Sequence, residues 1–287
     1  MAPAISIALR EFRDLWIHTG TACNLSCPFC HEGSKPGDAR LEALGVAQVL
    51  PVLQAAAAAG ARRFIFTGGE PLILKGIQPL LLAALGLRPV LVLTNGTAPW
   101  IRRSHLLAAL RTAPHPLSFR VSLDTPDEAA HDAQRGLKNF RKAVEGLKLL
   151  HAAGFEVGIT RQMQPGENQA QVLQRFGQLL RKNNLPEHLS IVALPQLGAL
   201  DAADGPPMAV HTTAPGTPLC AHGRMLILRD GELRLTACAL VDDDPAFDRL
   251  ADVESALAAP INPTHRRCSL CLGGDVNYVG AAAQAGV

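Results

Sequence analysis

Leu15-Trp16-Ile17-His18, followed at a short interval by Cys23-Asn24-Leu25-Ser26-Cys27-Pro28-Phe29-Cys30, is the stretch from which the rest of the chain can be read. The first four residues suit a strand. The next eight carry a CxxxCxxC spacing. Its three cysteines could mark one face of a helix, but Pro28 lies among them, and a proline inside a helix removes an amide donor and clashes with the preceding turn. The reading is a strand that delivers three thiols onto a loop.

Working outward, the same strand-then-helix unit recurs. Strands are predicted over 15–18, 64–67, 90–94, 118–123, 156–160 and 190–194, with helices over 41–59, 77–85, 100–110, 137–153 and 169–182, the last capped by Asn168. Six βα repeats with right-handed crossovers give an α/β fold whose parallel sheet either opens into a doubly wound form or curls into a partial barrel. In both, chemistry belongs at the carboxyl ends of the strands. Cys23–Cys30, Gly68-Gly69-Glu70 and Asn95-Gly96 follow three successive strands and so share one rim.

After about residue 200 the alternation stops. Pro206, Pro207, Pro215 and Pro218 with Gly205 and Gly216 read as a linker, giving one unit over 1–200 and a second over 201–287. In the second, Asp230-Gly231 between two apolar runs predicts a tight hairpin. That hairpin sets Gly223 opposite Cys238 and so brings Cys220 near Cys238, with Cys268 and Cys271 following as a CxxC.

Composition narrows the function. Hydrophobic residues at 48% and charged residues at 18% exclude wholesale disorder. A net charge of +2, from 27 basic and 25 acidic residues, leaves no broad footprint for nucleic acid or an anionic membrane. One tyrosine and 4% aromatics offer little stacking surface for single strands. The richest apolar run, 79–93, is broken by Gly86, Arg88 and Pro89, short of the roughly 20 residues of a membrane helix. Arg10, Glu11, Arg13 and Asp14 follow a start that lacks signal-peptide order. The expectation is a cytoplasmic protein with neither a nucleic-acid nor a membrane partner. No P-loop or GxGxxG is present.

Seven cysteines, an odd number, argue against a disulfide framework in such a chain, and three plus four suggest two metal centres. The first three could hold zinc with His31, or three irons of a [4Fe–4S] cluster whose fourth iron stays open. The last four, Cys220, Cys238, Cys268 and Cys271, suit structural zinc and a fully ligated cluster equally well. Arg62-Arg63, Arg102-Arg103 and Arg266-Arg267 read as solvated surface, the last close enough to Cys268 to flank a pocket. His131, like the isolated histidines, lacks ligand spacing.

With Phe29 just before the final cysteine, this pattern resembles the signature of the radical S-adenosylmethionine (SAM) superfamily, and further motifs over about 14–200 follow that family's order. The resemblance implies a partial (β/α)6 TIM-like barrel with a small C-terminal hairpin-plus-helix unit. It implies Cys23, Cys27 and Cys30 as ligands of a [4Fe–4S] cluster that also binds SAM, with Phe29 near the adenine. Gly68, Gly69 and Glu70, in Thr67-Gly68-Gly69-Glu70-Pro71, look like the family's GGE motif, which contacts the SAM amino group. The glycines would also let the backbone approach a ligand closely. Thr94, Asn95, Ser122 and Asp124 match positions that reach the SAM ribose and carboxylate or the substrate. Arg161 could clamp a carboxylate or form a surface ion pair.

The C-terminal cysteines resemble a twitch domain, a shortened relative of the SPASM domain, which implies a second, auxiliary [4Fe–4S] cluster. The implied activity is reductive cleavage of SAM to a 5′-deoxyadenosyl radical that abstracts hydrogen, giving a small-molecule oxidation or dehydrogenation. An electron donor such as flavodoxin or ferredoxin is implied too. A peptide maturase usually carries a leader-recognition domain, and only 22 residues precede Cys23. A molybdenum-cofactor-type cyclase has three C-terminal cysteine ligands and a Gly-Gly tail, where this chain has four cysteines and Gln284-Ala285-Gly286-Val287. The reading from another class is a non-catalytic, zinc-stabilised binding protein, which leaves Gly68-Gly69-Glu70 and Ser122 unexplained.

Overall fold

A computed structural model describes residues 6–102, 104–194, 218–238, 240–242, 244–250 and 252–273. The expected linker residues from Gly205 to Gly216 and the tail from Gln284 lie outside them.

Six strands, β1 (Asp14–His18), β2 (Arg63–Thr67), β3 (Val90–Thr94), β4 (Leu117–Ser122), β5 (Glu156–Gln162) and β6 (Ile191–Leu194), are laid down in parallel. The chain crosses over between them through α1 (Val46–Ala58), α2 (Ile77–Leu85), α3 (Ser104–Arg111), α4 (Glu128–Arg135), α5 (Asn139–Ala152) and α6 (Gln169–Lys182). Then come β7 (Gly223–Arg229), β8 (Glu232–Thr236), β9 (Arg249–Leu250), α7 (Val253–Ala258) and α8 (Arg266–Gly273). The sheet is open, in the order β6-β5-β4-β3-β2-β1-β7-β8-β9.

Period-2 alternation sorts the strand side chains onto two faces. Leu15, Ile17, Phe64, Phe66, Val90, Val92, Phe119 and Val121 pack with helix residues such as Val49, Leu53, Leu80 and Leu147. The intervening Trp16, Ile65 and Leu91 form a second core with Met225, Ile227, Cys220, Cys238 and Cys271. The C-terminal cysteines are thus built into the opposite face of the sheet.

The hairpin forms as the dipeptide predicts: Asp230 and Gly231 sit at φ 52° and 75°, and Met225 pairs Thr236. It also joins the main sheet, with β7 parallel to β1 from Asp14↔Gly223 to Ile17↔Leu226.

Three boundaries depart from the sequence reading. The first helix begins at Val46, five residues late. The span expected at 100–110 divides into a short 3₁₀ turn, Pro99–Arg102, and α3. The short α4 was not foreseen; the Asp127 carboxylate caps it by accepting from Ala130 N at 2.9 Å.

Beyond β1 the chain runs on beside the end of β2. Thr19 N donates to Thr67 O (2.9 Å), Gly69 N to Gly20 O (2.9 Å) and Glu70 N to Ala22 O (3.1 Å). The approach is so close that a Cβ on Gly69 would stand 2.2 Å from Ala22 O. The glycine pair is therefore required for packing under the cysteine loop, a need separate from the ligand approach expected of it.

Candidate functional site

At the carboxyl rim of the parallel strands lies a cavity of about 160 Å³. Its wall includes Cys23, Cys27, Cys30 and Phe29 from the loop after β1, and Gly68, Gly69 and Glu70 after β2. Thr94 and Asn95 join it after β3, Ser122 and Asp124 after β4, and Arg161 from β5. Every residue singled out for the first centre and for SAM therefore faces one space.

Burial pushes the Cys23 thiol up to about 12 and raises those of Cys27 and Cys30. Two donors address the Cys23 sulfur: Leu25 N at 3.4 Å and Asn95 Nδ2 at 3.8 Å. Asn95 Nδ2 also donates to Asn24 Oδ1 (3.0 Å), tying the loop to the end of β3. The donor set fits an iron–sulfur cluster: three soft sulfur ligands on one loop, amides turned toward a sulfur, and a cavity on the open side.

Glu70 is buried and fully engaged. Its Oε1 accepts from Thr94 Oγ1 (2.6 Å) and Leu72 N (3.0 Å), and its Oε2 from Asn95 N (2.7 Å). Burial still raises its carboxyl above the ordinary range. The glutamate thus fastens β3 to the turn after β2, and any ligand ammonium would compete with or share these donors.

Asp124 accepts from Gln162 N (3.0 Å) and from the guanidinium of Arg135 on α4. Against the cost of burial, Arg135 holds the Asp124 carboxyl below its ordinary value. The same guanidinium lies 5.1 Å above the Phe29 ring, within cation–π range. Arg135 escaped sequence reasoning because α4, Glu-Ala-Ala-His-Asp-Ala-Gln-Arg, has no apolar stripe. Arg161 pairs with Glu167 and donates to Asp124 O at 3.3 Å; at 2% exposure this is a buried pair, where a surface one was the alternative considered.

The second group gathers on the sheet face of Trp16, Ile65 and Leu91. Cys220, Cys238 and Cys271 are buried together with Cys268 packed against them, and their mutual charge adds to burial in raising the Cys220 and Cys238 thiols. Between the two groups runs a polar bridge. Arg40 donates to Glu32 O (3.1 Å), Asp242 O (3.2 Å) and Asp242 Oδ2 (3.1 Å). Arg267 is 1% exposed, correcting the surface reading of its basic pair, and donates to His31 O (2.5 Å) and Leu240 O (3.4 Å).

His18 Nε2 lies 3.2 Å from Glu32 Oε2 and 3.8 Å from Asp242 Oδ2. Gly20 N donates to His18 Nδ1 (3.3 Å), which leaves the ring proton on Nε2 facing Glu32. The contact links β1 to the residues that follow the cysteine loop.

Soft sulfur ligands at the carboxyl rim of an open parallel α/β sheet, with a cavity on their free side, define a metal-dependent enzyme. A sequence profile of the Radical SAM superfamily matches residues 17–176, and the chain belongs to that superfamily, whose members bind SAM at a [4Fe–4S] cluster. The match covers the three-cysteine loop and all the cavity residues named above.

The sporulation killing factor maturation protein SkfB of Bacillus subtilis is 35% identical over 138 residues, 47% of this chain and 32% of that protein. GTP 3′,8-cyclase of Mycolicibacterium smegmatis is 34% identical over 163 residues, 54% of this chain and 43% of that enzyme. The chain thus spans less than half the length of these curated relatives. In three dimensions it is similar to Streptococcus suis SuiB bound to the precursor peptide SuiA, with TM-score 0.65 and 15% identity over 88% of this chain and 66% of that one. Among the described residues, no helix is long and apolar enough to cross a membrane.

Proposed function

We propose that this chain is a radical SAM enzyme that abstracts hydrogen from a substrate in the rim cavity and completes an oxidation or dehydrogenation. In this reading residues 1–200 form the radical SAM core and residues 201–287 a twitch/SPASM-like unit holding an auxiliary cluster. The observation that carries it is the convergence of Cys23, Cys27, Cys30, Glu70, Asn95, Ser122 and Asp124 on one cavity beside a second, four-thiol group.

Cys23, Cys27 and Cys30 hold the first cluster, which when bound supplies the electron that splits SAM into methionine and a 5′-deoxyadenosyl radical. The residues around it orient and enclose. Asn95 and Leu25 place N–H groups on the Cys23 sulfur and moderate its charge. Arg135 steadies Phe29 from one side while its other partner, Asp124, fixes the end of β4. Glu70, Thr94 and Ser122 shape the polar wall for the amino, ribose and carboxylate groups of SAM, with Arg161 beyond them. Burial of this wall excludes water from a reactive species.

Four C-terminal thiols favour a fully ligated cluster that accepts an electron from the substrate. A soluble donor such as flavodoxin or ferredoxin, and a cytoplasmic setting, complete the proposal. A small-molecule substrate is the first reading. A peptide is the second, prompted by the sequence likeness to the sporulation killing factor maturation protein SkfB.

Anaerobic reconstitution tests the core of this reading. About eight irons per chain and dithionite-dependent 5′-deoxyadenosine from SAM, lost in the Cys23→Ala, Cys27→Ala, Cys30→Ala variant, are expected. An iron-loaded protein that leaves SAM intact overturns it. Unchanged yield of oxidised product in Cys268→Ser, Cys271→Ser overturns the electron-transfer role.

A further inference from the structure

Two turns, each just past a cysteine, are joined to one another by guanidinium groups. The first turn holds His31 and Glu32, which follow Cys30; the second holds Leu240 and Asp242, which follow Cys238. Arg267 donates from Nη2 to His31 O (2.5 Å) and from Nη1 to Leu240 O (3.4 Å). Arg40 donates from Nη2 to Glu32 O (3.1 Å) and from Nη1 to Asp242 O (3.2 Å). Each side chain thus reaches from the first turn to the second, and consecutive carbonyls of the first turn are held by different arginines.

This task suits arginine. Its planar fork presents donors in fixed directions, where a lysine ammonium would meet one carbonyl and lose the other. Arg267 is 1% exposed and immediately precedes Cys268 on α8, so its grip also fixes the helix that carries two of the C-terminal thiols. Arg40 is drawn into place by the Asp242 carboxylate, to which it donates at 3.1 Å.

The loop passes any movement on to its thiols. Gly33 N donates to Cys30 O (3.1 Å) and Cys30 N to Cys27 O (3.1 Å), so the carbonyls at 31 and 32 belong to a turn that includes two of the three cysteines. The far side of the loop is tied separately, with Cys23 N donating to Lys35 O at 3.2 Å. The bonds described for the two arginines go to backbone carbonyls and a carboxylate, and act on the sulfurs through the loop.

We propose that Arg267 and Arg40 are positioning residues of the first thiol centre, clamping the Cys30 end of its loop to the turn after Cys238 so that the C-terminal unit sets the geometry in which SAM is bound. This rests on Cys23, Cys27 and Cys30 holding the SAM-binding cluster. Groups that orient metal ligands change what a site binds about ten- to a hundredfold.

The test compares reconstituted full-length wild type with Arg267→Met, Arg267→Lys, Arg40→Met and Arg224→Met. Arg224 is the control: it is also 1% exposed and donates to Cys220 O (2.6 Å) and Ala256 O (3.1 Å), both in the C-terminal unit. Two quantities are read. One is amide hydrogen exchange over 27–36; the other is the SAM concentration that half-converts the electron paramagnetic resonance spectrum of the dithionite-reduced protein. Arg267→Met should speed the exchange at least about tenfold, the scale of one lost charged hydrogen bond, and raise the SAM concentration at least about tenfold. Arg40→Met should move both in the same direction, and Arg267→Lys should fall between wild type and Arg267→Met. Arg224→Met should lower the melting temperature and leave both quantities as in wild type.

If Arg267→Met does not melt cooperatively, Arg267→Lys and Arg40→Met carry the decision. Wild-type exchange over 27–36 in the folded Arg267 and Arg40 variants overturns the clamp, as does equal acceleration in Arg224→Met. Faster exchange with an unaltered SAM response overturns the positioning role and leaves a structural one. Wild type that takes up no iron, or whose spectrum ignores SAM, strikes the radical SAM reading; the exchange comparison then decides the clamp by itself.

Discussion

Gly69→Ala asks how the cysteine loop is held in place. Gly69 lies outside the left-handed region, so alanine meets no backbone penalty there and the effect comes from contact alone. The added Cβ would stand 2.2 Å from Ala22 O and 2.6 Å from both Ala22 C and Thr21 O, where ordinary contact begins at 3.4 Å. All three are backbone atoms just before Cys23, with no flexible side chain to give way. The loop must therefore retreat by about 1.2 Å. Overpacking of this kind costs about 1–3 kcal/mol, or about 2–4 °C of melting temperature per kcal/mol in a chain of this size. A displacement of about 1 Å near reacting atoms lowers a rate about a hundredfold. The assay is melting temperature, iron per chain and the rate of 5′-deoxyadenosine formation, with Gly76→Ala, which meets open space at φ −97°, as the control. A lower melting temperature and a loss of about two decades in rate are expected. Wild-type melting in Gly69→Ala would refute the packing argument, and if the rate still fell, contact with a bound ligand would be the cause.

Asp124→Asn leaves the buried Arg135 without its carboxylate and should cost about 3–5 kcal/mol in urea unfolding at neutral pH. Because the folded-state Asp124 value lies below its ordinary 3.8, the pair's contribution is present at neutral pH and disappears as pH falls below about 4; wild type should lose stability on acidification faster than the variant, and parallel curves would count against the pair. Burial sets the metal-free Cys23 and Cys220 thiols at about 12, against an ordinary 9.0. Iodoacetamide at pH 8 should then modify them about a thousandfold more slowly than glutathione, read by mass spectrometry, and rapid labelling of all seven cysteines would contradict this burial.

Much of this architecture is legible in the residues. Each parallel strand carries apolar side chains at alternate positions, so its place and the rim at its carboxyl end follow from pattern alone. Asp230-Gly231 fixes the hairpin because few other dipeptides accept two positive φ values. What stayed hidden has physical reasons. Arg135 sits on a helix with one buried residue, His131, held by its cap and its neighbours rather than by an apolar stripe. Arg267 looks like a surface charge until backbone carbonyls from two distant loops, at His31 and Leu240, are brought to its guanidinium by the fold. Gly68-Gly69 suggested room for a ligand, and both line the cavity; the additional close contact of Gly69 with Ala22 is one that only the strand register reveals.

The pairing of β7 with β1 has a consequence for how the protein is made. Every residue of β1 is buried, and one of its edges is completed by a strand about 200 residues further along the chain. Ribosomes add about 5–20 residues per second, so that edge stays bare for about 10–40 s while the rest of the parallel sheet can already assemble. Bare strand edges are templates for pairing between molecules. Soluble yield should therefore depend on how quickly the last third of the chain emerges, and on how few other nascent copies are nearby when it does.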